Sequence, residues 1–302
     1  MVDSSWRESI MIRLLRRSHL LTRATGIFAP SPAVSRIDRD IIYGRHGGED
    51  LGLDVFVPLG EGAWPVVVMI HGGGFVAGDK SMLDYTCGVL ASTGFLTFSI
   101  DYRLAPESPY PAHVDDCAVA LQWVRDHGAE YGGDLSRLCV GGGSAGAYLA
   151  ATLGVFSQNG TYSLQSNDTG DRGRAIDTAI DAVLLLNGVF DLETTEASDF
   201  PNAGSLVRLF LGDVFTEPDV RRAASPLHHV TAEFPCAFIG VGTRDSLRGE
   251  SIAMARALSA LGVEVESREY PESGHGWFNW HWTENSRAAH EHMVAWLREQ
   301  LG

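Results

Sequence analysis

Ser144 stands in CVGGGSAGAYLA (139–150), flanked by Gly142 and Gly146. The stretch fits three tasks. GGGS has the composition of a flexible linker. Gly141-x-Gly143-x-x-Gly146 fits the glycine fingerprint of dinucleotide sites, and Gly142-x-Ser144-x-Gly146 fits the tight turn that presents a serine nucleophile. A serine hydroxyl is a weak nucleophile at neutral pH, so it needs a histidine to take its proton and a carboxylate to orient that histidine. In open α/β sheets these partners follow in the order Ser, Asp, His. VGTRDSL supplies Asp245 directly after an apolar stretch, and PESGHGW supplies His275 directly after the next one. The oxyanion formed by acyl attack needs donors, each worth about 3–4 kcal/mol of barrier. VMIHGGGF offers His71-Gly72-Gly73-Gly74, whose backbone N–H groups no side chain obstructs. The N–H of Ala145, at the start of the following helix, is another donor.

The elements around these residues decide between the three tasks. RIDRDIIYGR and LGLDVFVP flank a turn and read as an antiparallel hairpin. Thereafter apolar strands alternate with helices. The strands are predicted at 65–71, 95–102, 137–142, 181–190, 236–243 and 263–270, with near-continuous apolar cores suited to parallel strands buried on both faces. The clearest helix is HVDDCAVALQWVRDHGAEYG, with Val114, Cys117, Leu121 and Val124 on one stripe. SIAMARALSALG and ENSRAAHEHMVAWLREQLG are two more. Such alternation predicts a mostly parallel wound sheet in one domain. GGGS therefore sits between a strand and a helix, which excludes a linker. A dinucleotide site would need a second strand ending in an acid about 20 residues on. TYSLQSNDTG is polar and turn-like, and Gly72-x-Gly74-x-x-Ala77 matches the relaxed fingerprint equally well. The nucleophile turn is the reading that meets all its demands.

A net charge of -15 argues against a nucleic-acid binder, which needs a basic patch to meet phosphates. No apolar run reaches the length of a membrane span, so the chain is expected in the cytoplasm. Cys87, Cys117, Cys139 and Cys236 are widely spaced and read as reduced, buried small hydrophobes. Lys80 is the only lysine, a bias of composition rather than of function. The first 26 residues carry Ile10, Ile12, Leu14, Leu15 and Leu20 at the spacing of an amphipathic helix, read as a cap over the domain ahead of a membrane-surface helix. Residues 157–175 read as a mobile surface loop and 192–225 as a helical excursion. The sequons at Asn159 and Asn167 read as chance matches. The pairs His228-His229 and His290-Glu291-His292 lack a third metal ligand in sequence and read as solvated surface histidines, so no metal or organic cofactor is expected.

In sum, HGGGF (71–75), DYRLAPE (101–107), YPAHVDDCAVALQWV (110–124), GGSAG (142–146), SPL (225–227), Asp245 with Leu247, and GHG (274–276) resemble the landmarks of the hormone-sensitive-lipase-like esterases. The likeness runs from about residue 40 to the C-terminus. It implies an α/β-hydrolase fold, a mostly parallel central sheet flanked by helices, with a small helical cap from about 1–36 and 192–225. It implies Ser144 as nucleophile, His275 as general base and acid, Asp245 as its orienting carboxylate, and Gly73, Gly74 and Ala145 as oxyanion donors with Gly72 shaping their loop. It makes DYRLAPE structural, with Arg103 and Glu107 as an ion-pair bracket. It also implies a small-molecule ester of short to medium chain as substrate, and a homodimer through a sheet edge or terminal helices is common in such folds. Three residues depart from the pattern. Gly143 stands where an acidic residue is usual, Ala147 where Gly is usual, and Trp277 where Phe is more frequent. Trp277 is expected either to narrow the pocket or to pack against Trp280 and Trp282. The rival readings are a hydrolase of lactones, aryl formamides or acetylated natural products, and a non-catalytic small-molecule receptor on the same fold.

Overall fold

The apolar runs become a central sheet whose strands alternate their side chains between two cores. The computed structural model describes residues 4–24, 34–46, 48–165, 172–217 and 219–302. Its strands are β1 (Arg36–His46), β2 (Glu49–Val57), β3 (Trp64–Ile70), β4 (Leu96–Ile100), β5 (Gly133–Gly143), β6 (Thr161–Ser163), β7 (Ala175–Asp177), β8 (Ala182–Leu186), β9 (Cys236–Gly242) and β10 (Val265–Tyr270). Eight form one sheet in the order β1-β2-β4-β3-β5-β8-β9-β10. The pairs β1/β2 and β2/β4 are antiparallel, and all the others are parallel.

The helices are α1 (Ser4–Ala24), α2 (Asp84–Ser92), α3 (Ala112–His127), α4 (Ala145–Ser157), α5 (Leu192–Glu196), α6 (Ala203–Leu211), α7 (Val220–Ala223), α8 (Arg248–Ala260) and α9 (Glu284–Leu301). Along β3, Val66, Val68 and Ile70 belong on one face to a core that also takes in residues of α3, α4 and α8. Val67 and Met69 meet α2 and α9 on the other. This is the period-2 alternation of a strand covered on both sides. The expected stripe Val114, Cys117, Leu121 and Val124 is buried.

Three sequence readings need correction here. Residues 161–163 and 175–177 are not loop: they pair as an antiparallel ladder, because Tyr162 and Ile176 turn inward while their neighbours face solvent. Asn167 lies outside the described residues, as do 1–3 and 25–33 of the N-terminal segment. The last strand, VESREY, is half-exposed rather than apolar, as befits the edge of the sheet. Cys236 is half-buried, whereas the other three cysteines are buried; all four are free thiols.

Lys80 is also more than a compositional accident. Its ammonium lies 2.6 Å from Asp40, 3.4 Å from Asp54 and 3.6 Å from Asp101, largely out of solvent. Burial holds the Asp101 carboxyl up at about 6, against the pull of Lys80. Lys80 thus joins β1, β2 and the end of β4, and Arg39 of β1 meets the same Asp54 at 2.5 Å.

Candidate active site

Ser144 joins β5 to α4 with φ +56° and ψ -119°, a conformation that a non-glycine residue keeps only when its surroundings enforce it. The surroundings do so. The Ser144 N–H donates to the Leu186 carbonyl at 2.9 Å, and its own carbonyl accepts from the Tyr148 N–H at 3.1 Å. A Cβ at Gly142 would lie 2.5 Å from the Gly146 carbonyl carbon, and one at Gly146 would lie 2.0 Å from the Ile70 carbonyl oxygen. The two glycines therefore let the turn press against the end of β3.

The turn presents Ser144 Oγ to His275, whose Nε2 lies 2.9 Å away. On the other side of the ring, Nδ1 lies 2.9 Å from Asp245 Oδ2. The Asp245 carboxylate is fully buried, and His275 is partly open to the cavity. A buried carboxylate at Nδ1 keeps the ring proton there, which leaves Nε2 as the acceptor for the serine O–H. Asp245 Oδ1 accepts the backbone N–H of Leu247 at 2.9 Å, which fixes the carboxylate against the start of α8. Asp245 follows β9 and His275 follows β10, at the carboxyl ends where open α/β sheets build sites.

Gly73, with φ +121°, and Gly74, with φ +62°, turn the loop after β3 across this pair. A Cβ on Gly73 would lie 1.9 Å from the Ala77 carbonyl oxygen, so only glycine fits. Among the described residues no hydrogen bond is found from the N–H of either glycine. The Ala145 N–H begins α4 and has no carbonyl to reach within the helix. A Cβ on Gly72 would lie 2.8 Å from the Gly143 carbonyl oxygen, which shows how closely the loop lies on the serine turn.

DYRLAPE holds that loop from behind. The Tyr102 hydroxyl donates to the His71 carbonyl at 3.0 Å, and the Ala105 N–H donates to the Phe75 carbonyl at 2.9 Å. The expected bracket between Arg103 and Glu107 does not form. Arg103 turns inward to Asp116 of α3, its Nε 2.8 Å from Oδ2, with both side chains buried. Glu107 turns outward and pairs with Arg16 of α1 at 2.7 Å. Arg16 also donates to the carbonyls of Val76 and Ala105, at 2.9 and 3.2 Å, which fixes α1 across the loop.

A cavity of about 360 Å³ opens onto Ser144 and His275. Both segments expected to cover the site reach it, α1 through Leu15 and Ser18 and the 192–225 excursion through Phe200 and Leu206. The excursion is tied at its base by Ser225, which accepts from the Leu192 N–H and donates to the Arg221 carbonyl. Beside Ser144 lies a second, apolar compartment of about 20 Å³, bounded by Gly74, Ala145, Leu192, Leu206 and Val207.

The departures from the family pattern have physical answers here. Gly143 leaves room for Phe278, whose ring atoms would lie 2.5 and 2.7 Å from any Cβ at that position. Phe278 lines the cavity and is buried, so it braces the serine turn in place of a side chain on residue 143. Trp277 does not line the cavity, and it meets Trp280 only through the Trp280 N–H, which donates to the Trp277 carbonyl at 3.0 Å. It is buried against Tyr270, ring centroids 4.3 Å apart, while Trp280 and Trp282 are exposed. Gly143→Ala is expected to lower stability by about 1–3 kcal/mol through overpacking. Adding Phe278→Ala should recover part of the loss at the serine turn, and a thermal melt of the three variants checks both.

One histidine of each pair is corrected as well. His290 is buried, between the Ser286 carbonyl at 2.7 Å and the Thr86 hydroxyl at 3.0 Å. Its removal from water depresses its pKa to about 4. His228 gains neighbours that its sequence lacks, since its ligand atom lies with those of Asp191 and Glu193 within 4.8 Å of one another.

Besides Phe278, two residues at the site were not singled out by sequence. Phe200 meets the His275 ring edge-on at 4.8 Å between centroids. Asn187, after β8, places its amide nitrogen 3.3 Å from Nε2 and 3.4 Å from Nδ1 of His275. LLLNGVF signals only a strand end, and no spacing in the sequence connects it to residue 275.

A sheet of this order with a strained serine at the β5–α4 turn defines a hydrolase-type fold. Residues 67–279 match the family described as alpha/beta hydrolase fold, and the chain belongs to that family. Among its relatives, esterase LipI of Mycobacterium tuberculosis is 32% identical over 222 residues, which cover 70% of this chain and 65% of LipI. Carboxylesterase NlhH of the same organism is 32% identical over 248 residues, 78% of this chain and 74% of NlhH. The structure of a hyperthermophilic esterase from the archaeon Pyrobaculum calidifontis superposes with a TM-score of 0.78 at 26% identity, covering 97% of this chain and 91% of that one. The matched part thus spans just under two thirds of LipI's length.

Proposed function

We propose that the protein is a serine carboxylesterase that hydrolyses esters with short acyl groups. The observation that carries the reading is the relay of Asp245, His275 and Ser144, joined at 2.9 and 2.9 Å beside the open N–H groups of Gly73, Gly74 and Ala145. In this reading Ser144 Oγ attacks the ester carbonyl while its proton passes to His275 Nε2. The oxyanion is held by the three N–H groups, and His275 then gives the proton to the departing alkoxide. Water enters, loses a proton to His275 and adds to the acyl-enzyme. Collapse of that intermediate frees the acid and returns the proton to Ser144. No metal or organic cofactor is required by this sequence of steps.

The leaving alcohol must lie on the side of His275, because His275 protonates it. That side is the cavity of about 360 Å³, whereas the compartment on the Ala145 side holds about 20 Å³, room for one or two water-sized groups. The acyl group is therefore the small partner. Turnover of p-nitrophenyl esters is expected to be best for acetate and to fall steeply through butyrate to octanoate. Leu206→Ala, which opens the wall between the two spaces, should raise octanoate relative to acetate by roughly tenfold. A chain-length profile of equal height throughout would sink the short-acyl reading. Lactones and aryl formamides assayed beside the esters separate the rival bonds. The same reading includes a cytoplasmic location and no nucleic-acid partner, supported by the charge of -15 and by the lack, among the described residues, of a helix long and apolar enough to cross a membrane. It also includes a homodimer through the exposed edge at β10 or through α9, which sedimentation tests.

A further inference from the structure

Asn187 is 1% exposed, borders the cavity and has φ +42°. The backbone angle alone accounts for the residue type, since asparagine tolerates the left-handed region better than most. It does not account for where the side chain points. Both in-plane positions of the His275 ring nitrogens are taken, Nε2 by Ser144 and Nδ1 by Asp245. The amide nitrogen is almost equally far from both, at 3.3 and 3.4 Å. In the ring plane, such a point would overlap Cε1, so the amide lies over the face of the imidazole. The other end of the amide, Oδ1, is buried without a partner. A carboxamide that nothing else fixes can turn about its last bond and exchange its two ends, which are nearly the same size.

We propose that Asn187 is a positioning residue for His275. Its amide holds the ring in the plane that serves both Ser144 and Asp245. With its oxygen turned to the ring, it offsets the positive charge that appears when the Ser144 O–H bond breaks and the N–H bond forms at Nε2. A neutral ring accepts the amide N–H group on its face; a protonated ring favours the oxygen. Asp245 is the charged group that faces the ring, and Phe200 contributes an apolar edge. The inference rests on the reading of His275 as general base.

Two variants of the full chain test it with p-nitrophenyl acetate. Asn187→Gly keeps the left-handed backbone at no steric cost and removes the side chain with its amide. It is expected to lower kcat by roughly 10- to 100-fold, with KM within about twofold and the melting temperature little changed. Asn187→Asp keeps the shape and adds a second carboxylate over the ring. It is expected to move the acid limb of the kcat/KM profile upward by about one pH unit, because a nearby anion favours the protonated ring. Support requires both results. Wild-type kcat in Asn187→Gly, or a loss of kcat matched by a loss of folding, overturns the proposal, and so does an unmoved acid limb in Asn187→Asp. Ser144→Ala assayed alongside keeps the two ideas apart: activity persisting there defeats the serine reading itself, whereas an inactive Ser144→Ala beside a fully active Asn187→Gly defeats only the role of Asn187.

Discussion

Ser144→Ala is expected to reduce turnover of p-nitrophenyl acetate on the order of a millionfold, by comparison with another enzyme that depends on a serine, histidine and aspartate acting as a unit. The folded state should be retained, since the methyl of alanine occupies the space of the serine Cβ and the backbone bonds to Leu186 and from Tyr148 do not involve the hydroxyl. Asp245→Asn is expected to cost less, about ten-thousandfold, because it removes the orienting charge but leaves the nucleophile. The ranking matters more than either value. Turnover surviving in Ser144→Ala would assign the chemistry to another group. A larger loss in Asp245→Asn than in Ser144→Ala would mean that Asp245 supports the fold more than the reaction, and melting curves of both variants would reveal it.

Arg103→Met should produce the largest loss of stability among single changes near the site, about 3–5 kcal/mol. The guanidinium and the Asp116 carboxylate are both buried, joined by contacts of 2.8 and 2.9 Å, and the Arg103 N–H adds a third at 2.9 Å. Removing the cation strands a carboxylate in the core. A fall in Tm on the order of 10 °C follows for a domain of this size. Glu107→Gln, which breaks only the exposed pair with Arg16, should cost about 1 kcal/mol or less. Burial already pushes the Asp116 carboxyl above its usual range despite Arg103. A group whose folded pKa is raised loses stability as the pH rises through that value. The deficit of Arg103→Met is therefore expected to narrow as the pH is lowered toward the acid range. Urea melts at pH 5 and pH 8 measure it, and a deficit that widens at low pH would contradict the assignment.

The parts of this site that were legible in the sequence are those fixed by short-range geometry. A serine between glycines, a glycine run after a strand, and an aspartate and a histidine after strands each announce themselves, because tight turns and strand ends constrain residue type locally. The alternation of strands and helices was readable for the same reason, apart from its boundaries. What stayed hidden depends on residues far apart in the chain. Arg103 could be seen as an ion-pairing residue, but its partner Asp116 was chosen by how α3 packs, not by nearness to Glu107. Phe278 over Gly143 and Asn187 over His275 are contacts between different strand ends, and no spacing encodes them. Lys80 is a sharper case, since its meaning lies in three aspartates brought together from β1, β2 and the end of β4. The polar 157–175 segment misled because two three-residue strands are too short to show a period.

Phe278 stands three residues after His275 and touches the residue before Ser144. The loop that carries His275 and the turn that carries Ser144 are therefore gauged against each other by one ring. Displacement of either pushes on the other. This registration is set by apolar contact, so it does not weaken when salt screens charges. The hydrogen bond between Ser144 and His275 can break and re-form while the distance between their backbones stays gauged by the Phe278 ring.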